Sequence, residues 1–192
     1  MRNNEIRNIT GTAILIAMVI VLQLLGSIIK FGPFSVSLVL IPIAIGAILF
    51  GPLSGFILGL TFGIVVLLSG DAAPFLAVNI PGTIITVLVK GAMAGLISGI
   101  IYKIISNKKI GLFLAALMCP IVNTGLFLVG CLLFFMPTIN AWARAAGFEN
   151  VGKFMIIGLV GANFLFEMLV NIILSPTISH LINRWYSRYN EG

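Results

Sequence analysis

Apolar residues run along this chain in blocks of about twenty, the length a helix needs to cross a bilayer, separated by short polar or Gly-Pro stretches. The first block covers about Ile9 to Ile29 and ends at "KFGPFS", a Gly-Pro turn. The second, about Val36 to Phe50, and the third, about Leu53 to Leu68, are short for spanning helices, and Pro42 lies inside the second. Gly51-Pro52 separates these two so tightly that it predicts a helical hairpin. After "SGDAAPF" comes a fourth block, about Ile80 to Ile105, closed by the basic "SNKK". A fifth runs from about Ile110 to Phe135. "MPTINAWARAAGFENVGK" is the only long polar connection, and beyond it a sixth helix is expected from about Phe154 past Pro176 to a basic tail. The pattern predicts an all-α membrane protein, a six-transmembrane-helix bundle forming one domain over 1–192, with both ends on one side.

Composition agrees. Hydrophobic residues make up 60% and charged residues 8%, and the mean hydropathy is +1.20. Soluble domains carry about 25% charge, so this chain lacks the polar material to cover its own surface in water. The net charge of +6 would suggest nucleic acid in a soluble protein, but here the basic residues flank apolar blocks and act on topology. With the amino terminus inside, Arg2, Arg7, Lys103, Lys108, Lys109, Arg184 and Arg188 lie inside, and only Lys30, Arg144 and Lys153 outside. Both termini are therefore expected to be cytoplasmic, in a plasma-membrane protein. Arg2 and Arg7 before an apolar run resemble a signal peptide, but the run is long and no A-x-A-like site follows, so it reads as a retained helix. Cys119 and Cys131 share one apolar run and read as small hydrophobes.

On this orientation the outer face carries "KFGPFS", "SGDAAPFLAVNIPG" and "MPTINAWARAAGFENVGK", and binding surfaces are commonly built from such loops over a rigid scaffold. Asn79, Trp142 and Arg144 are candidate ligand-binding residues there. An indole and a guanidinium could close over a ligand, although Trp142 also suits an interfacial aromatic anchor.

Glycine recurs every four residues at Gly51, Gly55, Gly59 and Gly63, and again at Gly91, Gly95 and Gly99. Each series makes a smooth groove on one helix face, suited to close packing within the bundle or to a moving contact. Ala13 and Ala17 repeat the spacing in the first helix.

Lys90 interrupts the fourth block. An ammonium at that depth costs roughly 2.5–3.5 kcal/mol on insertion scales. At ~1.5 Å per residue it lies ~15 Å from the outer end, level with Asn123 of the fifth helix and Glu167 of the sixth. Asn163, Glu167 and Asn171 follow at i, i+4 and i+8, a polar face that must look into the bundle or a wet cavity. Either Lys90 and Glu167 lock helices together, or Lys90 and its polar neighbours Asn123, Asn163 and Glu167 line a substrate cavity; the two can coexist.

Several chemistries are missing. No G-x-x-x-x-G-K-[ST] occurs, so energy from ATP would come from a partner. His180, the single histidine, has no neighbouring cluster to form a metal site. Ser54 and Ser98 lack the spacing of an intramembrane protease, and Glu167 is the one acid well inside a span. These absences argue against an enzyme, and no cofactor is implied.

"TAILIAMVIVLQLLG" and "LIPIAIGAILFGPLSGFILGLTFGIV", with the six-block pattern, resemble the substrate-binding S components of energy-coupling factor (ECF) vitamin transporters; "P-x-x-x-G" and "GPLSG" are similar to the folate and pantothenate branch. The resemblance implies capture of a vitamin or related small molecule on the outer side. It also implies partnership with a transmembrane coupling subunit and two cytoplasmic ATPases, the subunit docking on Ala13 and Ala17. A toppling motion in the membrane is part of the same expectation. The riboflavin branch usually has an acid early in the second helix, which "FSVSLVLIPIAIG" lacks, whereas Lys90 with Arg144 above it would suit a carboxylate such as pantothenate or folate. Rival readings are an autonomous carrier using Lys90 and Glu167 as a proton relay, and a membrane scaffold whose polar pair is structural.

Overall fold

The computed structural model describes residues 2–28, 30–31, 34–35, 38–161, 163–170 and 173; Asn171, Pro176, His180, Arg184 and Arg188 lie outside them. Helix α1 (Arg2–Gly26) is followed by a ribbon of β1 (Lys30–Phe31) and β2 (Phe34–Ser35), paired antiparallel, where an all-α chain was expected to turn. Next come α2 (Leu40–Phe50), α3 (Pro52–Leu68), a short α4 (Ala73–Leu76), α5 (Ile80–Ile104) and α6 (Lys108–Phe134). The segments Glu5–Gly26, Ile80–Ile104 and Lys108–Phe134 are each long and apolar enough to cross a membrane. At 11 residues α2 is too short to do so alone.

The local chemistry accounts for the breaks. Gly51 is the single residue between α2 and α3, at φ +94°, and Pro52 opens the next helix, so the expected hairpin forms. Asn79 caps α5, its Oδ1 accepting from the Gly82 N–H at 2.9 Å. Asn107 does the same for α6, accepting from the backbone N–H groups of Lys109 and Ile110.

The two glycine series pack against each other at Gly55, Gly59, Gly91 and Gly95, whereas Gly51 lies outside the helices with nothing within 4 Å of an added β-carbon. A β-carbon on Gly55 would meet the Gly95 carbonyl oxygen, and one on Gly59 would meet that of Gly91; the same clashes arise from the other side. Gly99 faces Pro52, whose Cα would lie 2.6 Å from an added β-carbon. Both grooves are thus used inside the bundle, between α3 and α5. α5 also packs along α6, where the Ser98 hydroxyl donates to the Ala115 carbonyl at 2.8 Å. On α1, Thr12, Leu15, Val19 and Gln23 form the buried stripe, and Thr12 bonds Ser54 of α3 at 3.1 Å. Cys119 and Cys131 are buried free thiols.

Two expectations need correction. The polar connection after the fifth block is not an open loop: it folds into α7 (Met136–Ala145), whose Ile139 and Ala143, one turn apart, are buried against Phe75, Phe135 and Phe154. Polar composition concealed an amphipathic helix. The sixth helix is also not continuous. After α8 (Val151–Lys153), Phe154–Leu159 winds as a π-helix, the Val160 N–H reaching back to the Met155 carbonyl at 3.3 Å. Helix α9 (Asn163–Val170) then departs at 45°. A π-turn beside Gly158 and Gly161 loosens the backbone ladder and lets the chain bend.

Candidate ligand-binding site

Where the last segment bends, a cavity opens among α3, α5, α6 and α9, with about 800 Å³ of empty space when its mouth is counted. Phe62 and Val66 come from α3, Thr83, Thr86 and Lys90 from α5, and Asn123, Thr124 and Phe127 from α6. Asn163, Phe164 and Glu167 close the far side on α9, while Gln23, Asp71 and Phe75 lie toward α4.

Spacing explains the convergence. Thr83, Thr86 and Lys90 stand at i, i+3 and i+7, one face of α5, and Asn163 and Glu167 share a face of α9. The Lys90 ammonium lies 5.6 Å from the Phe62 ring centroid and 5.2 Å from that of Phe127, so two aromatic faces offset part of its desolvation. The charges of Lys90 and Glu167 are near enough to act on each other, and the Asp71 carboxylate also reaches Lys90. Asp71 is held from α1: Gln23, itself buried, donates from Nε2 to its Oδ2 at 2.6 Å. Glu167, Thr83 and Asn123 are buried as well.

The structure therefore brings together four of the expected residues, Lys90, Asn123, Asn163 and Glu167, in one lining. It does not bring in Asn79, Trp142 or Arg144. Asn79 is spent on the α5 cap. Trp142 stands one layer back, its ring edge-on to Phe75 at 5.5 Å. Arg144 is exposed near the end of α7, so the carboxylate argument rests on Lys90 without a second cation. Ala13 and Ala17 are exposed on α1, on the side away from its buried stripe.

Sequence reasoning missed Gln23, Asp71, Thr83, Thr86 and Thr124. The α5 threonines had a readable signal, since they share Lys90's face in an otherwise apolar block. Asp71 had a weaker one, as the sole acid of its loop. Among the described residues no group of three or more His, Cys, Asp or Glu is arranged to hold a metal.

Long apolar helices around an open-mouthed chamber lined by buried polar groups define a membrane protein built to hold a small molecule within its bundle. The model of the ECF transporter substrate-specific component matches residues 7–179, and the chain belongs to that family. It is also 27% identical over 195 residues to the pantothenic acid transporter PanT of Lactococcus lactis subsp. cremoris, covering 93% of this chain and 94% of that protein. No solved structure matches the chain significantly.

Proposed function

We propose that this chain captures pantothenate for an ATP-driven ECF uptake system. The observation that supports this most directly is the lining of the chamber, in which Lys90 offers a cation to a carboxylate while Phe62, Phe75 and Phe127 supply apolar contact. The likeness to a pantothenic acid transporter favours pantothenate over folate.

On this reading residues 1–192 form one multi-pass domain of the plasma membrane, with six crossings and both termini cytoplasmic. The excess of basic residues at the inner segments supports that orientation. The chamber then opens outward beneath α4 and α7. A transmembrane coupling subunit and two cytoplasmic ATPases supply the energy, and Ala13 and Ala17 form the contact with the subunit. The role is binding and delivery, not catalysis.

The test is thermal unfolding of the purified full chain with pantothenate, folate and riboflavin in turn. A ligand that prefers the folded state raises the melting temperature by mass action. Pantothenate is expected to do so at the lowest concentration, and mass spectrometry should recover it from the protein as purified. A response to another vitamin would replace the ligand. Uptake by the purified chain alone under a pH gradient would replace the mechanism with an ion-coupled carrier.

A further inference from the structure

Two polar atoms in the chamber wall have no hydrogen-bond partner among the described residues: Asn123 Oδ1 and Thr86 Oγ1. Each residue is only 5% exposed, and each lines the cavity. Buried polar groups are nearly always paired, so two unpaired atoms on residues that line one chamber call for a partner the wall does not contain. Neighbouring side chains show the contrast: Thr83 donates to the Asn79 carbonyl at 2.7 Å and Ser98 to that of Ala115 at 2.8 Å.

The two atoms sit at different heights. α5 and α6 run antiparallel, with Thr86 against Gly130, where an added β-carbon would meet the threonine side chain, and with Ser98 against Ala115. Between those points Lys90 falls opposite residues near 125, consistent with its ammonium lying 5.2 Å from the Phe127 ring centroid. Asn123 thus stands about level with Lys90. Thr86 stands one turn nearer to α4, ~6 Å along the helix.

We propose that Asn123 and Thr86 are specificity-determining residues. Asn123 accepts a hydrogen bond from an N–H close to a ligand carboxylate, and Thr86 pairs with a hydroxyl about one helical turn away. The assignment rests on the carboxylate reading of Lys90 given above. Pantothenate fits the pattern, with a carboxylate, an amide N–H two carbons away and hydroxyls at its other end. A plain fatty carboxylate offers the anion with neither donor and is expected to be rejected.

Isosteric variants test this on the full chain by calorimetric titration, with pantothenate and with an analogue in which both hydroxyls are replaced by hydrogen. Asn123→Leu should weaken both ligands about tenfold, because both keep the amide. Thr86→Val should weaken pantothenate about tenfold and leave the analogue's affinity unchanged. The melting temperature without ligand should hold or rise in both variants, since each loses an unpaired buried group. Wild-type affinity in the variants, equal losses of Thr86→Val for both ligands, or a variant that melts earlier or does not fold overturns the assignment. If the wild type binds no pantothenate while the variants fold normally, the carboxylate reading fails and this assignment fails with it; that result is distinguishable because it appears before any substitution.

Discussion

Gly59 and Gly91 face each other across the α3–α5 interface, each with the other's carbonyl oxygen where a β-carbon would stand. That closeness sets the position of the site, because Lys90 is next to Gly91 and Phe62 is three residues beyond Gly59. Gly91→Ala should therefore separate the helices, costing about 1–3 kcal/mol of stability and weakening ligand binding with it. Gly125→Ala on α6, where an added β-carbon meets nothing within 4 Å, should leave both unchanged. Melting curves of the two variants, with and without ligand, check the contrast.

Lys90→Met keeps the side chain's length and removes its charge. If the ammonium engages a ligand carboxylate, affinity should fall about ten- to a hundredfold, the range for a hydrogen bond to a charged group. Lys90→Arg should retain part of it. Because the charges of Lys90 and Glu167 act on each other, the Lys90→Met and Glu167→Gln effects on ligand-free stability should not add. A Lys90→Met variant that binds pantothenate as the wild type does would leave the pair with a structural role alone.

Much of the bundle was legible because its breaks have strong chemistry. Gly51-Pro52 ends one helix and starts the next wherever the chain goes, so the helix ends on either side of it were placed within a residue, while the start of α2 fell four residues later than expected. The convergence of Lys90, Asn123, Asn163 and Glu167 was legible for a different reason: lipid penalises such groups, so depth and face alone drive them to one chamber. What failed depended on tertiary context. The Phe154–Leu159 π-turn leaves no periodic mark in an apolar run, and α7 reads as a polar loop until Ile139 and Ala143 find the aromatic cluster. Arg144 looked like a ligand group only because the helical turn that points it outward was not visible.

Gln23 and Asp71 join α1 to the turn before α4 through a 2.6 Å bond at the edge of the chamber. Gln23→Leu keeps the bulk and removes the donor, and a hydrogen bond to a charged group contributes about 1.5–3 kcal/mol. The variant should melt earlier. Backbone amides of residues 69–73 should exchange faster than in the wild type, while those in the middle of α5 stay protected. Hydrogen exchange read by mass spectrometry resolves the two regions, and uniform acceleration would mean that the bond supports the whole bundle and not this turn.

Ala13 and Ala17 lie one turn apart on the exposed side of α1, among large exposed neighbours such as Ile14 and Met18. Small residues at that spacing let a second helix backbone come close, and side-chain bulk there prevents it. On the function proposed above, the helix to be admitted is one of the coupling subunit. Ala13→Leu with Ala17→Leu should weaken co-purification with that subunit at least about tenfold, the equivalent of an overpacking cost of about 1–3 kcal/mol. Pantothenate binding to the isolated chain should not change, because neither residue lines the chamber. Ile14→Leu, which alters shape and not bulk on the same exposed side, should leave both intact. An undiminished complex with the double variant would move the docking surface to another face of the bundle, whereas a loss of ligand binding would mean that α1 supports the chamber from outside.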